Sequence, residues 1–157
     1  MSVRHIYENA PLGALIAYSD GTPEPAESPK ERLAEWYARN GLGLLVAKHP
    51  TAEYPFHTDP PTITLRVSEY GDPAPLSKRS TRTFTTDSDL TFWIVNPPCV
   101  GEVRILRDVD GVVEMLYLAR NRAMAEQWLT DNPGADIRLE EITADEIAAI
   151  VVEGRAA

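Results

Sequence analysis

His49, Glu53 and His57 recur at intervals of four, the spacing that lines up metal ligands on one face of a helix. Pro50 and Pro55 stand between them, and proline removes a backbone donor from a helix interior, so the spacing loses that meaning. What remains is a loop in which His57 and Asp59, with His49, would supply a ligand set or an acid–base pair. That is the equipment of a small hydrolase or a metal-dependent enzyme. The plainer expectation is a polar surface loop, because loops hold many polar side chains that do no chemistry.

Lys78, Arg79 and Arg82 form the densest basic cluster, interleaved with Ser77, Ser80, Thr81 and Thr83. Guanidinium forks and hydroxyls suit phosphate oxygens, so a nucleic-acid-binding regulatory module is one reading. Phe84, Phe92 and Trp93 lie nearby and would stack bases. Against it stands an edge strand guarded by charge, with its aromatics in the core. Gly41-Leu42-Gly43 is too short for a phosphate loop and lacks the Lys-Ser/Thr that must follow.

Cys99 would need a histidine brought from elsewhere to act as a nucleophile, and it reads more simply as a small buried hydrophobe. No Gly-x-Ser-x-Gly occurs. The carboxylate pairs Asp87/Asp89, Asp108/Asp110 and Glu140/Glu141 fall at turns and helix entries, and none has a partner that marks an acid–base pair. No motif calls for a cofactor or a metal.

The net charge of −9 is uneven. Residues 124–153 contain eight acids and one base, Arg138, whereas residues 1–101 contain twelve acids and nine bases. An acidic surface repels phosphate, which disfavours nucleic acid as the partner. The expected function is therefore non-enzymatic binding or regulation through protein–protein contacts. Its surface would be an acidic face of Glu126, Asp136, Glu140, Glu141, Asp145 and Glu146. In its most specific form that face imitates a nucleic-acid backbone and inhibits a basic partner; in the blandest it is only a solvated surface. Tyr7, Tyr18, Tyr54 and Tyr70 are candidate interface aromatics, and a homodimer through a strand edge is compatible with every reading.

Those residues must be held by elements, and the last third is the most legible. Asp110-Gly111 demands a two-residue hairpin turn, with Val109 facing Val112, Arg107 facing Glu114, Ile105 facing Leu116 and Val103 facing Leu118. One face would then be apolar apart from the oppositely charged Arg107–Glu114 pair, and Tyr117 would lie on the other with Leu106 and Met115. A second strand apolar on both faces belongs inside a sheet. Asn121 caps a helix whose stripe is Met124, Ala125, Trp128 and Leu129, and Asn132-Pro133-Gly134 ends it. Residues 137–140 alternate as a strand. Thr143 to Glu146 form a capping box, Ile142 and Ile147 a hydrophobic staple, and Ile147, Ile150 and Val151 a buried stripe before Gly154 as the C-terminal cap.

Upstream, residues 14–18, 42–47 and 62–69 read as strands, and Ser28-Pro29-Lys30-Glu31 as a second capping box opening a helix with Leu33, Trp36 and Tyr37 inside. Residues 81–86 and 90–95 read as a hairpin around Asp87-Ser88-Asp89. The sum is an α+β fold of mostly antiparallel sheet with about three helices and a C-terminal hairpin–helix–strand–helix block. At 157 residues, one compact domain is expected, with a weak subdivision near 97–101 as the alternative. An ordinary hydrophobic content of 43% excludes wholesale disorder. No apolar run is long enough for a membrane span, the first residues lack a signal-peptide core, and a single cysteine makes a reducing cytoplasm the default.

Overall fold

A helix that the hydrophobic pattern alone did not announce opens the chain. α1 (Val3–Asn9) starts at Ser2, whose side chain accepts from the His5 N–H, and its Val3 and Ile6, three residues apart, are fully buried. The computed structural model describes residues 2–26, 30–67 and 80–156, with the side chains of 30 and 151–156 outside that description. After α1 come β1 (Leu15–Ser19), α2 (Lys30–Arg39), β2 (Gly41–His49), β3 (Ala52–Glu53), β4 (Thr58–Asp59), β5 (Thr62–Val67), β6 (Ser80–Thr85) and β7 (Thr91–Asn96). The C-terminal block is β8 (Val103–Val109), β9 (Val112–Ala119), α3 (Arg122–Asp131), β10 (Ile137–Glu141) and α4 (Ala144–Ala156). The fold is α+β, and every strand pair among the described residues is antiparallel, including β1 and β2, which the long connection through α2 joins.

β2 organises the sheet. It pairs β1 on one side and β5 on the other, and its far end reaches β9 through Ala47↔Glu114. A register shift between Leu45 and Ala47 gives β2 the extra twist that lets it serve three neighbours. β2 and β5 also approach closely at Gly43, where a Cβ would lie 2.9 Å from Leu65 Cβ and Val67 Cγ1. The Gly41-Leu42-Gly43 run is thus a packing feature: at Gly41 a Cβ would meet the Tyr18 hydroxyl at 2.9 Å.

The expected hairpin of residues 81–86 and 90–95 does not form. β6 pairs β5, and β7 pairs β1, so they occupy two different edges of one curled sheet. The aromatics explain it. Tyr18 and Phe84 approach to 5.0 Å between ring centroids and Phe84 and Phe92 to 5.2 Å, so burying them together brings the two edges round. With Ile6, Ile16, Leu45, Ile63 and Leu65 they make the N-terminal core.

β8 and β9 form the expected hairpin, with Asp110 and Gly111 both at positive φ. A bulge between Ile105 and Leu106 then moves the register by one. Ile105 faces Tyr117 and Val103 faces Ala119, not Leu116 and Leu118. Tyr117 therefore turns to the α3 side, where it stacks on Trp128 at 5.8 Å. β9 lies inside the sheet, between β8 and β2. Asn121 caps α3 by accepting from the Met124 N–H at 2.8 Å; Ala125 is buried, Trp128 and Leu129 are half-buried, and Met124 is exposed.

The last helix departs from expectation at both ends. Thr143 Oγ1 accepts from the Glu146 N–H at 3.2 Å, but the Glu146 carboxylate does not return to the cap; it reaches Arg104 instead. At the other end α4 runs through Gly154 to Ala156, so Gly154 is not its cap. Ile147 and Ile150 are half-buried, not fully enclosed, and the Val151 side chain lies outside the described residues, as do Ser28 and Pro29 of the other expected capping box.

Candidate functional site

The acidic residues of the C-terminal block do not form one face. Successive side chains of a strand point to opposite sides, so Glu140 and Glu141 separate at once. Glu140 stands in register with Arg104, on the side away from α3. Glu141 follows Ile137 and Leu139, which pack with Trp128 and Leu129. Arg104 is 4% exposed and gathers both kinds of partner: Nε donates to the Leu12 carbonyl at 2.7 Å, Nη1 to Glu140 Oε1 at 2.6 Å, and Nη1 and Nη2 to the two oxygens of Glu146. One buried guanidinium thus ties β8 to β10, α4 and the segment after α1, and two of the six acids belong to that clamp. Glu126, Asp136, Glu141 and Asp145 remain exposed, with no ion pair among the described residues. The −7 of residues 124–153 overstated a surface because Arg104 lies outside that window.

Other charged groups are also engaged. Asp20 Oδ1 accepts from Thr22 Oγ1 at 2.6 Å, from the Thr22 N–H at 3.0 Å and from Asn40 Nδ2 at 3.1 Å, while Arg39 lies 3.3 Å from Oδ2. The Thr22 bonds, and then those from Asn40 and Arg39, hold its carboxyl down to about 2. Arg39 also reaches Asp89 at 2.9 Å, joining α2 to the β6–β7 connection. Arg82 donates to the Ala38 carbonyl at 3.0 Å, so the one described member of the expected basic cluster is used to seat the C-terminal end of α2. Lys78 and Arg79 lie outside the described residues.

Cys99 is exposed, which overturns its reading as a buried hydrophobe. Pro97 and Pro98 lead into a turn closed at Gly101, φ +92°, and the Cys99 N–H donates to the Glu102 carboxylate at 2.8 Å. The turn therefore anchors through its backbone and through buried Pro98, leaving the thiol outside. Of the candidate interface tyrosines, Tyr18 is core at 3% exposure, Tyr7 packs against that core, Tyr70 lies outside the described residues, and Tyr54 is open to solvent.

Tyr54 belongs to a feature that sequence reasoning passed over as a proline-rich loop. β3 and β4 pair as Ala52↔Asp59 and Glu53↔Thr58, and the Tyr54 N–H donates to the His57 carbonyl at 2.9 Å. Pro55 and Phe56 are left at the tip; Pro55 arrives with the φ that such a turn requires. The Tyr54 and His57 rings stack at 4.7 Å and 14°, and His57 Nε2 lies 3.5 Å from Asp59 Oδ1. Phe56 is 98% exposed. The structure thus brings His57 and Asp59 together, both more than half exposed, and leaves His49 exposed at the end of β2. No three His, Cys, Asp or Glu side chains converge among the described residues. The signal available in the sequence was aromatic–Pro–aromatic–His, Tyr54 to His57, bounded by Pro50 and Pro60.

No helix of the described residues is long and apolar enough to cross a membrane. No curated protein and no solved structure matches the chain. Residues 1–146 match one family across the α1-to-α4 frame, and the chain belongs to that family, described as Uncharacterised conserved protein UCP036055.

Proposed function

We propose that the protein works by binding a protein partner, and that the β3–β4 hairpin, not an acidic C-terminal face, makes the central contact. The single observation that carries this reading is Phe56, held at 98% exposure on a two-residue turn. Exposing a whole phenylalanine forfeits about 2 kcal/mol of burial, and nothing in the fold requires it there. Aromatic anchors that fill a partner's pocket recover that burial on binding. Glu53 and Asp59 flank the tip and are exposed, so the complementary surface is an apolar pocket rimmed by Lys and Arg. The stacked Tyr54–His57 pair stiffens the turn and lowers the ordering cost of association.

Affinity capture from the native host tests the reading with three baits: the wild type, Phe56→Ser, and a charge-reversed Glu126→Lys/Glu141→Lys/Asp145→Lys variant. The expected result is a partner held by the wild type and by the charge-reversed bait but lost with Phe56→Ser. A partner that survives Phe56→Ser and is lost on charge reversal would return the contact to the acidic residues. Equal capture by all three baits would sink both forms.

A further inference from the structure

A second site lies away from the hairpin tip, where the β8–β9 turn passes over the end of β2. A cavity of about 270 Å³ is lined by Leu12, Pro50, Gly111, Val112, Val113 and Lys48. Five of these are apolar or backbone-like, and the sixth is an ammonium. Among the described residues the Lys48 amine makes no hydrogen bond or ion pair, although it is only partly exposed. We propose that this cavity binds a small amphipathic carboxylate, its anionic head on Lys48 and its short apolar body against Leu12, Pro50, Val112 and Val113.

Three features support the assignment. Sites for small ligands are concave and mostly apolar, with a few polar groups that fix orientation; this cavity falls just below the volume usual for drug-sized ligands, which limits it to a chain of several carbons. A partly desolvated ammonium without a partner is a standing cost that an anion removes. Burial first and the nearby Arg104 charge second lower the pKa of Lys48, so the amine is in an environment that a bound carboxylate would relieve. Arg104 is a poor anchor itself, because it is buried and four of its five N–H donors already serve Leu12, Glu140 and Glu146. Those two glutamates and the Leu12 carbonyl hold the guanidinium in place.

The test is titration of the full chain with hexanoate, followed by the backbone amide signals of Gly111, Val112 and Val113. Hexan-1-ol and hexylammonium serve as probes of equal length without the negative charge. Saturable shifts centred on those amides are expected with hexanoate, with hexanol at least roughly tenfold weaker and hexylammonium weaker still. Lys48→Met should weaken hexanoate by roughly tenfold or more and leave hexanol unchanged, while Lys48→Arg retains hexanoate binding. A preserved amide spectrum and thermal midpoint in Lys48→Met confirm that the fold is intact; if that variant unfolds, the ratio of hexanoate to hexanol affinity in the wild type decides alone. Equal affinity for the three probes, shifts that spread over the surface without saturating, or unchanged hexanoate binding in folded Lys48→Met would each overturn the proposal.

Discussion

The C-terminal block and the β3–β4 hairpin make opposite use of conspicuous side chains. In the block, Glu140 and Glu146 converge on Arg104, Arg138 reaches Asp108 at 2.6 Å, and Tyr117 stacks on Trp128. The side chains that draw the eye are occupied in holding strands and helices together. In the hairpin, Phe56 projects into solvent, and Tyr54, His57 and Asp59 are all more than half exposed. Its aromatics hold only their own turn. The difference teaches that charge counted along a stretch of chain is not charge on a surface, because the neutralising residue can come from across the sheet.

The largest test of the comparison is Arg104→Ala. It should destabilise folding by about 3 kcal/mol, the lower end for breaking a buried pair, because Glu140 is half exposed and can be rehydrated. Urea unfolding measures this, and Arg104→Met, which keeps the volume, should lose less. If Arg104→Ala unfolds like the wild type, the block's charges are not structural and the contrast with the hairpin collapses. Gly43→Ala comes next, at about 2 kcal/mol, since the new methyl meets Leu65 and Val67 where β2 and β5 are closest. It strikes the strand that carries both regions, so its cost should appear in the thermal midpoint of the whole fold.

Asp20 extends the comparison to acid. Its folded pKa, about 2, lies below its ordinary 3.8, so its contribution is present above about pH 4 and is lost as the pH falls through about 2. The urea midpoint should decline over that window, and Asp20→Asn should flatten the part of the decline due to this group. An unchanged slope would show that Thr22, Asn40 and Arg39 do not hold the carboxylate in solution. The smallest effect on stability belongs to the hairpin. Phe56→Ser should shift unfolding by no more than about 0.5 kcal/mol, because an exposed side chain has little folded-state contact to lose. A loss near that of Gly43→Ala would place Phe56 in the fold's own packing and remove it as a free anchor.

Much of the frame could be read from local pattern. Asp110-Gly111 specified a turn because both residues need positive φ, and Asn121 specified a helix start because its side chain replaces a missing acceptor. The candidate site was far less legible. The hairpin of residues 52–59 is too short for period-two alternation to register, and Lys48 was hidden as a single cation at the end of an apolar strand. The bulge between Ile105 and Leu106 has no turn chemistry to announce it, yet it redirected Tyr117 to the other face.

By itself, the sequence determined the α+β class, the C-terminal order of hairpin, helix, strand and helix, and an excess of acid over base. Each depends on neighbours within a few residues or on a sum over the chain. Tertiary structure alone decided that β6 and β7 part to two sheet edges, that Arg104 claims Glu140 from 36 residues away, and that Phe56 finds no core. Those outcomes depend on which distant side chains share a buried space, where desolvation makes a pair strong and its absence costly. Local propensity does not encode that choice.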